Sequence, residues 1–244
     1  MEKNAEDLEK KNIINEYRSL MRAITNKVTP VEKKTIKKAF NLAIDAHQNT
    51  RRKSGKLYIS HPISVAKIIA NDIGLGATSI VCSLLHDVVE DTSVKLSDIK
   101  DEFGEEISII IDGLTKISGV VDADVSLQAE NFRKMILTIS NDIRVVLIKI
   151  ADRLDNMRTL EYLSQSKQER IASETLYLYA PLAHRLGLYS IKTELEDLSL
   201  KYTDPDSYFN ISNKLNETKD NREKYIKKFT RPIKEKLKAE NIKC

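Results

Sequence analysis

The chain is 244 residues long and 41% apolar, which excludes a disordered polymer and leaves room for one large core or two small ones. With 7 Gly, 5 Pro and no Trp on a background rich in Lys, Glu, Leu, Ile and Ala, it reads as all-α with little or no strand. The formal charge of +4 is spread over a chain that is 31% charged with both signs mixed, so it lacks the basic footprint of a nucleic-acid binder and only permits an acidic small ligand.

Cys82 and Cys244 are too few and too oddly placed for a disulfide framework, and there is no signal peptide or transmembrane run. A reducing cytoplasmic setting without membrane contact is expected.

Residues 5–24 carry Leu8, Ile13, Ile14, Leu20 and Met21 among many charges and read as a surface helix leading into the domain. Thr29-Pro30-Val31-Glu32 then supplies an N-cap, a Pro at the first helical position and the Glu of a capping box. The helix begun there sets Ile36, Phe40, Ala43 and His47 on one stripe, so His47 arrives at the helix end facing the core. It is either a core histidine hydrogen-bonded to backbone or a neighbour of a metal.

The loop from Asn49 to Lys56 is polar and carries four cations. It ends at Tyr58-Ile59-Ser60-His61-Pro62, where the Pro starts a helix and makes His61 its N-cap. A solvated charged loop explains such a run, and so does a loop that holds phosphates beside a metal-ligating His. The helix continues to Ile73 and breaks at Gly74-Leu75-Gly76.

In the next stretch Ile80, Val81, Leu84, Leu85, Val88 and Val89 surround His86-Asp87 and Glu90-Asp91 with no Gly or Pro between them, which predicts one helix throughout. On that helix His86 lies under Glu90 and Asp87 under Asp91. An imidazole and three carboxylates beside buried aliphatics are expensive to desolvate unless a cation or substrate compensates them. Cys82, one turn before His86, is either a thiolate ligand or a small buried hydrophobe.

Leu96-Ser97-Asp98 opens a short helix that Gly104 stops, and residues 105–117 form another whose second half Gly113 weakens. Residues 119–125 have no periodicity and read as a loop, 128–139 read as a helix, and Asp142 caps the helix after it. From Ile143 to about Tyr162 the pattern is apolar nearly all round at its start, which predicts a central buried helix. Lys149, Asp152, Asn156 and Thr159 line one side of its second half, as a salt-bridge stripe or as part of a site.

Ser166 caps a helix that Pro181 kinks and Gly187 ends, with His184 as a satisfied structural histidine, and residues 190–201 form a further helix. Past Asp204 the apolar residues thin out and Lys is frequent. The expected organisation is an N-terminal helix over 1–28, a core domain over 29–203 and a helical linker over 204–244.

His61, the pair His86-Asp87 and the distant Asp152 add up to a mixed nitrogen and oxygen set that suits Mn, Fe, Co or Zn better than Mg or Ca. The order His…His-Asp…Asp resembles that of the HD phosphohydrolase superfamily. Further blocks are Arg52-Lys53-Ser54-Gly55, Tyr58-Ile59-Ser60-His61-Pro62, residues 85–92, residues 150–160 and residues 179–187. Together they resemble the hydrolase domain of the long RelA/SpoT-type alarmone enzymes from about Ala46 to Asp204. The chain departs from that pattern at Gln48-Asn49-Thr50, at Leu57 and at Asp155, where a His is common.

The resemblance implies an HD-domain bundle of about ten helices with a metal site in its core. It implies removal of the 3′-pyrophosphate from the guanine nucleotide alarmones ppGpp or pppGpp, giving GDP or GTP and pyrophosphate, with Mn²⁺ as the usual ion. By matching position, His61, His86, Asp87 and Asp152 would hold the metal, and Glu90 with Asp91 would handle water and protons. Arg52, Lys53, Ser54, Asn156 and Thr159 would line the nucleotide pocket. It also implies synthetase and regulatory domains in a longer, bifunctional protein of which this chain would be a piece. Two alternatives are a regulatory module that binds metal or nucleotide without turnover and an HD phosphohydrolase of other nucleotides.

Overall fold

The computed structural model describes residues 2–24, 28–48, 50–118, 142–240 and 242; the loop and helix expected over 119–141, and Cys244, lie outside them. α1 (Glu2–Ile24) contributes the fully buried Leu20 and nearly buried Ile24 to the core. Both arms of the capping box form at the start of α2 (Pro30–Ala46): the Thr29 hydroxyl accepts the Glu32 N–H at 3.3 Å, and the Glu32 carboxylate accepts the Thr29 N–H at 2.6 Å. Ile36, Phe40 and Ala43 are buried along one face, and His47 caps the helix end.

The basic loop closes as a tight hairpin. Arg51 and Leu57 form an isolated antiparallel bridge, the only β pairing among the described residues, and Gly55 turns the chain at φ 84°. α3 (Ser60–Ile68) comes next and runs on as a π-turn over Ile69–Ile73 until Gly74, at φ 82°, stops it. Ile59 is its N-cap, so His61 sits inside the first turn instead of capping the helix.

The stretch expected as one helix is two: α4 (Ala77–Leu85) and α5 (Val88–Asp91). At the break the Ser83 carbonyl accepts the His86 Nδ1–H at 2.8 Å, and Asp87 takes φ −101°, ψ −5°. The chain therefore turns where the His-Asp pair sits, and the simple four-apart stacking on Glu90 and Asp91 is lost. α6 (Leu96–Phe103) ends at Gly104 as expected.

α7 (Glu105–Ser118) passes through Gly113 without interruption. A Cβ at that position would lie 3.0 Å from Val145 Cγ2, so the missing side chain is what lets α7 close on α8 (Ile143–Arg158). α8 is the buried centre, with Val145 to Ala151 all buried. It stops at Thr159, and a 3₁₀ turn over Leu160–Tyr162 completes the span expected as helix.

α9 (Gln165–Glu174) starts after Ser164, two residues earlier than the expected Ser166 cap, and passes through a π-turn (Thr175–Tyr179) into α10 (Ala180–Arg185), which opens beside Pro181. His184 is exposed and only edges onto Tyr189 at 5.5 Å, so it is not the satisfied structural histidine expected. α11 (Tyr189–Thr203) packs on α8 and α9, whereas no described residue of α12 (Pro205–Glu217) or α13 (Lys219–Ala239) is buried. α4 packs on α2 and α3, and α3 packs on α8, so the ends of three chain-distant segments meet. Among the described residues no helix is long and apolar enough to cross a membrane.

Replacing Thr29 by Ala removes one arm of the capping box, and Thr29→Ala is expected to lose about 0.5–2 kcal/mol in urea unfolding while Thr29→Ser loses little. An unchanged midpoint for Thr29→Ala would contradict the capping account.

Candidate metal centre

Helix packing brings together side chains that the sequence keeps apart. His61 in the first turn of α3 is 3% exposed, His86 at the end of α4 is 0% exposed, and Asp152 projects from α8. One ligand-type atom from each lies within 4.8 Å of the other two. His61 Nε2 is 3.1 Å from Asp152 Oδ1, and His86 Nε2 is 3.8 Å from the same oxygen. Asp87 faces them from the chain break, its Oδ2 3.0 Å from His86 Nε2 and 3.7 Å from His61 Nε2.

The opposite side of each imidazole is occupied. His86 Nδ1 points at the Ser83 carbonyl, which can only accept, so Nδ1 carries a proton and Nε2 is the nitrogen that can exchange its proton for an ion. His61 Nδ1 lies 2.6 Å from the Asp155 carboxylate, which imposes the same tautomer. Both Nε2 atoms thus point into a space shared with two carboxylates, where a proton or an ion can sit. His86 Nε2 is fully buried and makes no hydrogen bond. A buried polar atom without a partner is costly, and a divalent ion replacing its proton would satisfy it. The donor set fits a borderline transition ion.

The electrostatics agree. Burial alone would lower the pKa of His86 and His61, but the ring of carboxylates outweighs it: Asp87 and Asp152 push His86 up to about 10, and Asp152 with Asp155 raises His61. Burial would raise Asp87 and Asp152, yet the facing imidazoles hold both below the usual carboxylate range, with Lys149 assisting at Asp152. Cys82 is buried among aliphatics and its thiol is pushed up by desolvation, the small-hydrophobe alternative.

Around the centre, Asp91 and Glu90 are exposed on α5. Tyr58 joins Asp91 to the centre: its hydroxyl lies 2.5 Å from Asp87 Oδ2 and 3.1 Å from Asp91 Oδ2. His47 is buried, its ring 4.4 Å from Tyr58 and its Nε2 without a partner, and burial lowers its pKa against the pull of Asp87 and Asp91. It neighbours the centre; that Nε2 makes no backbone bond.

Asp152 also lies on the wall of a cleft of about 530 Å³, lined further by Arg52, Lys53, Ser54, Asn156 and Thr159. All five residues expected at a nucleotide pocket therefore share one concave surface with a metal-ligand candidate. Arg52 spans it, donating from Nη1 to Asp155 at 2.6 Å and from Nη2 to Asn156 at 2.8 Å. Arg153 stacks over Tyr179 at 4.2 Å and pairs with Glu174 on the far wall. Tyr58 and Asp155 carry no role assigned from sequence. Asp155 was visible as a departure from a motif, and Tyr58 only as a member of one.

Residues 39–189 match the family model described as HD domain. The chain is 48% identical over 213 residues to the GTP pyrophosphokinase of Myxococcus xanthus, covering 85% of this chain and 28% of that protein. It is 42% identical over 203 residues to the guanosine-3′,5′-bis(diphosphate) 3′-pyrophosphohydrolase of Aquifex aeolicus, covering 83% and 29%. It is 41% identical over 229 residues to the bifunctional (p)ppGpp synthase/hydrolase SpoT of Escherichia coli, covering 93% and 32%. The chain thus spans less than a third of the length of these relatives.

Protons on His61 and His86 compete with an ion for the same nitrogens. Because both pKa values are raised, His86 to about 10, affinity for a divalent transition ion should keep rising with pH from neutrality toward about 10, with protons released on binding. Calorimetry in two buffers of different ionisation enthalpy measures both, and an affinity flat across that range would contradict the assignment.

Proposed function

The chain belongs to the HD domain family, and from that premise we propose that it is a metal-dependent hydrolase unit removing the 3′-pyrophosphate of ppGpp or pppGpp. The observation that carries the proposal is the convergence of His61, His86 and Asp152, with Asp87 beside them, at the edge of a cleft lined by cations. A relative named for this hydrolysis and one named for both synthesis and hydrolysis support the choice of substrate.

In this reading His61, His86, Asp87 and Asp152 hold the ion, for which we propose Mn²⁺. When bound, the ion acts as a Lewis acid on a phosphoryl oxygen and lowers the pKa of a water from 15.7 toward about 7. Glu90 and Asp91, exposed on α5, orient that water and accept its proton. Tyr58 links Asp91 to Asp87, so the proton acceptor and the ligand keep a fixed relation. The water oxygen attacks the phosphorus next to the ribose, the bond to the 3′-oxygen breaks, that oxygen takes a proton, and pyrophosphate leaves. Lys53 offsets phosphate charge as a point charge, and Arg52, held by Asp155 and Asn156, adds positive charge at the cleft wall, while Ser54, Asn156 and Thr159 supply polar contacts. The setting we propose is cytoplasmic, within a longer protein that also carries a synthetase and regulatory domains.

A second reading rests on one observation. The Myxococcus relative is named a pyrophosphokinase, so a module that binds ion and nucleotide without turnover is the competing function. One assay separates the two. The chain is incubated with labelled ppGpp and Mn²⁺, with and without chelator, beside the double variant His86→Ala/Asp87→Ala. Chelator-sensitive pyrophosphate release that the variant lacks is expected; nucleotide binding without release would favour the module. Glu90→Gln is expected to slow turnover about 10²–10⁴-fold while the ion content stays unchanged. Loss of the ion in that variant would make Glu90 a ligand instead.

A further inference from the structure

Resting on the metal-centre reading above, we propose that Asp155 is a positioning residue that sets His61 for the ion and ties that ligand to the cleft wall through Arg52. The carboxylate is buried, 6% exposed, and a single oxygen, Oδ2, receives both the His61 Nδ1–H at 2.6 Å and an Arg52 Nη1–H at 2.6 Å. Asp155 stands three residues after Asp152 on α8, so both project from one face of the helix. The contacts close a ring: Arg52 donates from Nη2 to Asn156 Oδ1, and Asn156 donates from Nδ2 to Asp152 Oδ1 at 2.7 Å. Through this ring the hairpin, α3 and α8 hold one another in register around the two ligands His61 and Asp152.

Asp155 is not itself a ligand candidate. It meets His61 on Nδ1, the side of the ring away from the shared space, and the oxygen nearest the ring is committed to two donors. What it supplies is orientation and charge. As the acceptor of Nδ1–H it fixes the tautomer that leaves Nε2 free, and a carboxylate behind an imidazole raises the ring's basicity toward a cation. Arg52 moderates that charge and is in turn held against the cleft wall.

Two measurements test the proposal. In the metal-free chain, ¹H–¹⁵N correlation of the imidazoles should show a hydrogen-bonded proton on His61 Nδ1, whether or not Nε2 is also protonated; an Nδ1 without a proton would overturn the clamp, whatever becomes of any variant. Calorimetric titration of metal-free Asp155→Asn should show its Mn²⁺ dissociation constant raised about 10–100-fold. Whatever its metal-free thermal midpoint, its turnover should recover as Mn²⁺ is raised in proportion. A purely structural residue would not show that recovery. An unchanged dissociation constant, or a deficit that excess Mn²⁺ does not repair, would overturn the proposal. Failure of the parent chain to bind Mn²⁺ would instead sink the metal-centre reading, leaving the tautomer to rule on the clamp alone.

Discussion

The structure depends on a concentration of buried charge at one point. Asp87, Asp152 and Asp155 face His61 and His86 where α3, α4 and α8 meet, in five imidazole–carboxylate contacts of 2.6 to 3.8 Å. Without a cation, the imidazoles supply the countercharge by holding protons, which is why their pKa values rise while those of the acids fall. Such a cluster is poor material for stability, because desolvating it costs more than its mutual attraction returns unless a partner completes it. Its presence in the middle of an aliphatic core is therefore a statement about ligand binding.

The scaffold makes that cluster reproducible. Gly113 lets α7 lie against Val145, which seats α8 deep in the core and fixes where Asp152, Asp155 and Asn156 emerge. The break between α4 and α5 turns His86 and Asp87 inward and leaves Glu90 and Asp91 facing solvent. Helices and the tight turn between two of them thus carry the candidate ligands, while a short hairpin carries Lys53 and Ser54 to the cleft.

The helical class, the capping box at Thr29 and the glycine stops were legible from sequence because each is a local signal: composition, a four-residue motif, or a residue that tolerates φ of 76–91°. That His61, His86, Asp87 and Asp152 lie close together agrees with the sequence reading, which rested on a His, a His-Asp pair and an Asp set in or beside apolar runs. The break at His86 was not legible, since nothing in an aliphatic pattern records that a side chain will bond the Ser83 carbonyl. The entrance to α3 failed for a similar reason: Pro62 marked a first turn that the chain begins two residues earlier. His184 looked internal by its apolar neighbours but lies on the outer face of a single helical turn and a half. Asp155 drew notice only as a mismatch. Its role depends on partners 94 and 103 residues away in the chain, which no local pattern conveys.

The central claim is that four side chains share one cation. Diffraction from crystals grown with Mn²⁺, collected at a wavelength where manganese scatters anomalously, tests it without any substrate. The account predicts one anomalous peak about 2.0–2.2 Å from His61 Nε2, His86 Nε2 and carboxylate oxygens of Asp87 and Asp152. A peak bound elsewhere, or one that leaves Asp152 outside its coordination, would contradict it.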